Sequence, residues 1–147
     1  PVMPEPAAKL TRENVTVEQI HLYESALRCY KKEDMHVLAL QYFEQVARAG
    51  HLESQMYAAQ MHYRGQGTEV NYEKALYWYE KAAMNGNIYA QYNLGICYYE
   101  GNGVSKNTQE AIKWIEKSAR MGNQDAMSWL ESKKGSLKIE NVVSPVF

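Results

Sequence analysis

The chain has 147 residues, the size of a single domain, and its formal net charge at pH 7 is −1. A charge this close to zero gives no long-range attraction to nucleic acid or to an acidic membrane surface. No apolar run approaches the roughly 18 residues that a membrane-spanning helix needs. Cys29 and Cys97 show no paired spacing, so we expect two buried free thiols rather than a disulfide framework. The first residues lack the basic and apolar blocks of a signal peptide, which leaves the compartment open.

A first helix is predicted after a flexible, proline-containing lead-in, residues 1–15. Thr16 and Gln19 have the spacing of a capping box, in which each side chain accepts a backbone N–H at the start of a helix. The helix is expected to run from Val17 to about Lys32. Its apolar face, with a spacing of three and four residues, consists of Ile20, Tyr23, Ala26, Leu27 and Tyr30.

A second helix is predicted to start at Asp34, whose carboxylate can cap it, and to end near Ala49. Gly50 follows where the end of a helix favours a left-handed residue. The spacing of small and aromatic residues in this first helix pair resembles a tetratricopeptide repeat. The turn between its two helices is short and lacks glycine.

The region 51–122 consists of two copies of one pattern, 36 residues apart. Gly86 and Gly122 close the copies, and other residues recur in the same register. The matched pairs are Gly65 and Gly101, Gly67 and Gly103, Ala75 and Ala111, Trp78 and Trp114, Lys81 and Lys117, and Ala83 and Ala119. A fixed period of this size with helical periodicity is typical of stacked helix pairs.

Each copy contains a helix A, a turn with two glycines, and a helix B. In the first copy helix A is expected at about Leu52 to Tyr63 and helix B at about Tyr72 to Met84. In the second copy Asn107 is predicted to cap helix B, with Glu110 at the third position. Small residues along both helices should let them approach closely.

The chain after Gly122 repeats the beginning of a helix A, since Ala126 matches Ala90 in register. No partner helix follows, so we expect this lone helix to cover the last open apolar face as a cap. The tail, residues 133–147, is too apolar for a purely solvated segment. It can pack on its own domain or against a neighbour, sit in a groove of this domain or a neighbour, or be disordered.

Two motifs in these copies resemble those of a known family, the Sel1-like repeats, which are related to tetratricopeptide repeats. The first motif consists of Leu94, Gly95, Tyr98, Gly101, Gly103 and Val104. The second consists of Ala75, Trp78, Tyr79, Lys81, Ala82, Ala83 and Gly86. The chain lacks the paired cysteine in each repeat that marks the cysteine-rich members.

The resemblance implies an all-α fold, a right-handed α-α superhelix or solenoid of about three helix pairs with a C-terminal capping helix. The repeat domain is expected at 16–132. Within it we expect a degenerate repeat at 16–50, repeats at 51–86 and 87–122, and the capping helix at 123–132. In such an array the A helices line the concave side.

The tetratricopeptide pattern also implies which residues face the groove and contact a partner. These candidate partner-binding residues are Arg28, Met56, Gln60, Tyr63, Arg64, Tyr89, Tyr92, Ile96, Tyr99 and Glu100. Further groove-facing positions are His21, Glu24, Lys31, Lys32 and Glu53. Tyrosine is common at interfaces because it is large, fairly rigid and polar only at its tip. The alternative is that many of these tyrosines pack between repeats, as we expect for Tyr79 and Tyr98.

A basic cluster, Arg28, Lys31 and Lys32 together with Arg64, could bind a carboxylate or an acidic partner segment. The alternative is a solvated helix end, where positive charge suits the helix dipole. The four histidines lie in separate elements without metal-binding spacing, and His51 follows a helix-closing glycine, which favours a role in a turn. No catalytic motif, cofactor motif or metal site is therefore predicted.

The function predicted from these observations is that of an adaptor or scaffold domain, not an enzyme. It is expected to bind a protein or peptide segment in the groove of the A helices, without nucleic acid, membrane insertion or a cofactor. The alternative is self-assembly into a homo-oligomer through the repeat ends and the apolar tail. By resemblance, proteins of this family serve as adaptors in signalling, in protein quality control and in bacteria–host interaction.

Overall fold

The computed structural model describes residues 16–137, and this part of the chain is all-α, as predicted. It divides into two compact units between Trp78 and Tyr79, within α4. The predicted lead-in, 1–15, and most of the predicted tail, 133–147, lie outside the described residues. The helices of the described part are α1 (Val17–Tyr30), α2 (His36–Arg48), α3 (Leu52–Arg64), α4 (Tyr72–Met84), α5 (Ile88–Glu100), α6 (Thr108–Arg120) and α7 (Gln124–Lys133), with a 3-10 helix (Glu33–Met35) before α2.

Helix α1 begins with the predicted capping box. The Thr16 hydroxyl accepts the Gln19 backbone N–H at 3.2 Å, and the Gln19 side-chain oxygen accepts the Thr16 N–H at 3.1 Å. The helix ends at Tyr30, two residues earlier than predicted. Lys31 is its C-cap, and Lys32 already has extended backbone angles, φ −120° and ψ 118°.

The prediction that Asp34 caps the second helix was wrong. Asp34 lies inside the 3-10 helix, and α2 begins at His36 after Met35, which makes no side-chain cap. His36 Nε2 instead lies 2.9 Å from the Tyr30 carbonyl oxygen, and the two rings stack with centroids 5.4 Å apart. The connection is held by this histidine–tyrosine contact, which joins residues six positions apart.

Glycines end α3 and α5 as the repeat pattern predicts. Gly65 and Gly101 are the C-caps and adopt φ values of 71° and 77°, a left-handed conformation that other residues reach only at a cost. Gly67, two residues after Gly65, also has φ 71° and lies directly against the backbone of His36. The α3–α4 turn is therefore fitted tightly to the start of α2.

His51, Asn87 and Asn123 hold the same repeat position and cap the helices that follow them. His51 Nδ1 accepts the Ser54 N–H at 3.2 Å, and Asn87 Oδ1 accepts the Ala90 N–H at 2.9 Å. Asn123 Oδ1 also caps its helix, α7, but it accepts the N–H of Asp125, two residues on, at 3.0 Å. The expected turn role of His51 is confirmed, with an imidazole nitrogen taking the place of an amide oxygen.

Removing the His51 cap should destabilise the fold. We expect His51→Ala to lower the free energy of unfolding by about 1 kcal/mol, because a backbone N–H at the start of α3 loses its acceptor. His51→Asn should keep most of the stability, since asparagine caps the equivalent helices. Urea unfolding of the two variants and the wild type at pH 7.5 measures the difference.

The same substitution should change the pH dependence of stability. Burial lowers the pKa of His51 below its ordinary value, although the Glu53 carboxylate acts in the opposite direction. A lowered histidine pKa means that the folded chain disfavours the protonated ring, so its stability falls as the pH drops below about 6.5. Between pH 7.5 and 5.5 the wild type should therefore lose more stability than His51→Asn. Equal losses would show that another group carries the effect.

The core of the first unit is built around Phe43. Its ring stacks on Tyr57 with a centroid distance of 4.4 Å, and Tyr23 and Tyr30 approach it edge-on at 6.2 and 6.1 Å. These contacts join α1, α2 and α3. Ile20, which we expected on the buried face of α1, is 43% exposed. It lies one turn before Tyr23, in a part of α1 where Val17 is exposed as well.

In the second unit α5 and α6 approach closely at Gly95. A Cβ atom built on Gly95 would lie 2.5 Å from Ile115 Cγ1 and 2.9 Å from the Ala111 carbonyl oxygen. Only glycine leaves room for this approach, which confirms the predicted role of the small residues. The core continues into α7, where Ala126 and Leu130 pack with Ile115.

Both cysteines are free and buried, as predicted. Burial raises the pKa of the Cys97 thiol to about 12, and Glu100 acts in the same direction. The Cys97 thiol is therefore protonated at neutral pH and suits a packing role.

Candidate functional site

The partner-binding residues predicted in the second unit form one stripe along α5. Tyr89, Tyr92, Ile96, Tyr99 and Glu100 are separated by three, four, three and one residues, which places them on one side of the helix. We call these five residues the α5 stripe. Its two ends, Tyr89 and Glu100, are exposed, and the three residues between them are half-buried.

The half-buried part of the α5 stripe packs against α7. Tyr92 and Ile96 contact the apolar cluster that contains Ile115 and Leu130. Burial raises the pKa of the Tyr92 hydroxyl, and the carboxylates of Asp125 and Glu100 act in the same direction. Tyr92 and Ile96 thus have a packing role in the fold, which is the alternative that the sequence left open for such residues.

Tyr99 forms an aromatic and cationic group with α7. Its ring meets Trp129 edge-on at a centroid distance of 5.0 Å. Lys133 Nζ lies 5.3 Å from the Tyr99 ring centroid and 5.9 Å from that of Trp129, within the range of a cation–π contact. Because all three residues are only half-buried, they also present surface to solvent. Sequence reasoning did not name Trp129 or Lys133.

In the first unit α3 carries the corresponding stripe. Met56, Gln60 and Tyr63 are half-buried, and Arg64 is exposed. The Tyr63 ring contacts Tyr72 at the start of α4, with centroids 5.0 Å apart. As on α5, the tyrosine near the end of the helix has an intramolecular ring contact while part of it remains accessible.

The side chain of Glu53, which we also expected to face the groove, forms a hydrogen bond inside the first unit. It accepts a hydrogen bond of 2.6 Å from the Tyr23 hydroxyl. Burial of Tyr23 and this hydrogen bond raise the pKa of the hydroxyl well above its ordinary value. His21 and Glu24, two further predicted groove positions, are exposed on α1.

The predicted basic cluster divides into two parts. Arg28, Lys31 and Lys32 line one cleft at the end of α1, whereas Arg64 is not among the residues that line it. Arg28 donates a hydrogen bond of 3.0 Å to the Ser25 hydroxyl. Within residues 16–137 the three cations of the cleft form no salt bridge.

The four histidines have separate environments. His21 is exposed, His36 contacts Tyr30, and His51 caps α3. His62 is 2% exposed, and its Nε2 lies 3.6 Å from Glu44 Oε2. Attraction to His62 lowers the pKa of Glu44, against the opposite effect of burial. Over residues 16–137 no three His, Cys, Asp or Glu side chains lie together as a metal site would require.

None of the helices in the described part of the chain combines the length and the apolar character needed to span a bilayer.

Two crystal structures of repeat proteins are similar to this chain. One is c5321, a protective antigen present in uropathogenic Escherichia coli strains displaying an SLR fold, with 25% identity over 80% of this chain and 26% of c5321, at a TM-score of 0.75. The other is a Sel1 repeat protein from Oxalobacter formigenes, with 31% identity over 65% of this chain and 28% of that protein, at a TM-score of 0.62. The chain thus spans about a quarter of the length of each.

A third structure, Helicobacter pylori cysteine rich protein B, shares the fold. It is 23% identical over 78% of this chain and 98% of its own, with a TM-score of 0.60. A comparison with curated proteins gave no match. Residues 30–51, 52–87 and 88–123 each match the Sel1 repeat model, and together they make up more than half of the 147 residues. The chain therefore belongs to the Sel1 repeat family, and its helix pairs are those of a Sel1 α-α solenoid.

Proposed function

We propose that this chain is a protein-interaction module and that the α5 stripe is one of its docking surfaces. Sel1 repeats are typically non-enzymatic scaffolds for protein–protein interaction. The observation that carries the proposal is the exposure of Tyr89, 56%, beside the half-buried Tyr92 and Tyr99 on the same side of α5. A partner peptide or helix can bury these ring surfaces without a rearrangement of the fold.

The contacts with α7 support this assignment. Tyr92, Ile96 and Tyr99 are held in place by the core and by Trp129, so their side chains lose little conformational freedom when a partner binds. Glu100 at one end of the stripe and Lys133 beside Tyr99 provide opposite charges that can set the register of the partner. Rigid aromatic side chains with polar neighbours are typical of interaction hot spots.

A binding function is favoured over catalysis by the chemistry of the titratable groups. The shifted pKa values belong to groups with structural roles, such as the His51 cap and the packed Cys97 thiol. Among residues 16–137, no group with a shifted pKa is a nucleophile paired with a general base. The chain is accordingly proposed not to be an enzyme.

The test of the docking surface is a single substitution at its exposed end. We expect Tyr89→Ala to weaken partner binding by about fivefold or more, because a large exposed ring is removed from the contact. The measurement is a quantitative pull-down from extract of the native cells, followed by titration of the captured protein. Tyr89 is preferable to Tyr92, since truncation of Tyr92 would also disturb the packing on α7.

Tyr77→Ala provides the matched control. Tyr77 is 50% exposed and lies on helix B of its repeat, away from the positions expected to face a groove. The Tyr77→Ala variant should capture the partner protein as well as the wild type does. If the two variants capture the partner equally well and both keep wild-type helicity, the α5 stripe is not the docking surface.

Self-assembly remains the alternative proposal for this module. The apolar tail on which it depends lies outside the described residues, apart from its first positions. Light scattering across a range of concentrations tests it. A molar mass that rises with concentration in the wild type, and stays constant after deletion of residues 135–147, would favour self-assembly.

A further inference from the structure

A cleft of about 510 Å³ lies between the end of α1, the 3-10 helix and the beginning of α2. Its apolar part consists of Cys29, Met35 and Leu38, which are buried or half-buried. Its charged part consists of Arg28, Lys31 and Lys32, whose side chains are exposed. We call it the α1–α2 cleft. Its volume lies within the range of pockets that hold a ligand group.

The α1–α2 cleft lies on the side of the first helix pair that faces away from α3. Tyr23 and Tyr30 of α1 point toward the aromatic core shared with α3. Ser25 and Arg28 are offset from these two tyrosines by roughly 140–160° around the helix, close to half a turn, so they lie on the opposite side of α1. Among the described residues, the lining comes only from positions 25–42. Of the apolar side chains there, Met35 and Leu38 are half-buried and keep part of their surface accessible, whereas Cys29 is buried.

The charge in the cleft has one sign. Among residues 16–137, three cations line it and no carboxylate does, although Glu33 and Asp34 are close by in the chain. Lys31 is the C-cap of α1, so the helix dipole explains a positive charge there. The dipole does not explain why three cations, none of them in a salt bridge with another described residue, surround an apolar recess. A group that combines negative charge with an apolar side chain is complementary to both parts of the cleft.

We propose that the α1–α2 cleft binds an acidic peptide segment of a partner protein, with one apolar side chain inserted between Cys29, Met35 and Leu38. The carboxylates of the segment pair with Arg28, Lys31 and Lys32. A nucleic acid fits less well, because it needs a longer basic track than three cations around one cleft. This surface is separate from the α5 stripe, so either proposal can fail without the other.

The experiment uses the full chain and a displayed library of random dodecapeptides. We expect selected peptides to be enriched in Asp and Glu around one Leu, Ile, Phe or Met. The combined variant Arg28→Gln, Lys31→Gln and Lys32→Gln should bind a selected, fluorescein-labelled peptide about tenfold more weakly in fluorescence anisotropy. Binding to the wild type should also weaken as NaCl is raised from 50 to 500 mM, because salt screens exposed charges.

The matched control removes the same charge elsewhere. Lys106→Gln, Lys113→Gln and Arg120→Gln neutralise two lysines and one arginine, all exposed and all in the second unit. This control should bind the peptide as the wild type does. Leu38→Ala should weaken binding with the cations intact, which separates the apolar part of the cleft from its charge.

Three results would overturn the proposal. The first is a selection that yields no acidic peptides. The second is equal binding by the charge variant and its control. The third is a dimer of the wild type, seen by light scattering, that the charge variant abolishes while the control retains it. In that case the occupant of the cleft would be a second copy of this chain.

Discussion

Gly67→Ala is expected to lower the free energy of unfolding by about 2–5 kcal/mol. Two costs combine at this position. Gly67 has φ 71°, and a left-handed conformation costs an alanine roughly 1–2 kcal/mol. The added Cβ would also overlap the carbonyl group of His36 and lie 2.7 Å from the Val37 nitrogen. These atoms belong to the first turn of α2, so the helix must shift, at a typical cost of about 1–3 kcal/mol.

The measurement is urea unfolding monitored by circular dichroism at 222 nm. Gly86→Ala is the matched control, because Gly86 also has a positive φ, 93°, but a Cβ there meets no atom within 4 Å. The control should show only the conformational cost. If Gly67→Ala is no less stable than Gly86→Ala, the α3–α4 turn does not lie against α2 as described.

Gly95→Ala is expected to destabilise the second unit by about 1–3 kcal/mol. The informative result is the sign of this change in stability. In an open helix interior this substitution stabilises by roughly 0.5–1 kcal/mol, since alanine is the better helix former. At position 95 the new methyl group would lie 2.5 Å from Ile115 Cγ1 and 2.9 Å from the Ala111 carbonyl oxygen. Helices α5 and α6 must then separate.

A double-mutant cycle with Ile115→Ala identifies the origin of the effect. Alone, Ile115→Ala should cost about 2–5 kcal/mol, because Ile115 is fully buried and its truncation leaves a cavity. In combination with Gly95→Ala, part of that cavity is filled and the overlap with the Ile115 side chain is relieved, while the contact with the Ala111 carbonyl oxygen remains. The double variant should therefore lose less stability than the two single variants added together. We expect the difference to be at least about 1 kcal/mol in the free energy of unfolding. Additive losses would mean that the two side chains do not meet.

Several features of the fold could be predicted from residues that act locally. The recurrence of Gly65 and Gly67 at 101 and 103 predicted the paired helices, and the left-handed C-caps confirm the reason for those glycines. Thr16 and Gln19 predicted the start of α1 because a capping box involves only residues of one helical turn. The prediction that Asp34 caps α2 was wrong, because a contact between Tyr30 and His36, rather than a side-chain cap, sets where α2 begins.

The candidate site was less predictable, because it depends on which side of each helix is covered. The register alone placed Tyr89, Tyr92 and Tyr99 on one side of α5. Only the packing of α7 distinguishes the exposed Tyr89 from Tyr92, which contacts the core, and brings Trp129 to Tyr99. Likewise, the sequence grouped Arg28 with other cations but did not reveal the cleft that it lines.

The sequence by itself determined the repeat, its period, the capping box of α1 and the glycine turns, because each of these depends on residues close together in the chain or on a pattern that recurs. The tertiary structure decided which tyrosines are packed, how closely α5 and α6 approach at Gly95, and where an apolar recess meets three cations. These depend on contacts between helices, and helical periodicity gives the direction of a side chain but not the neighbour that it meets.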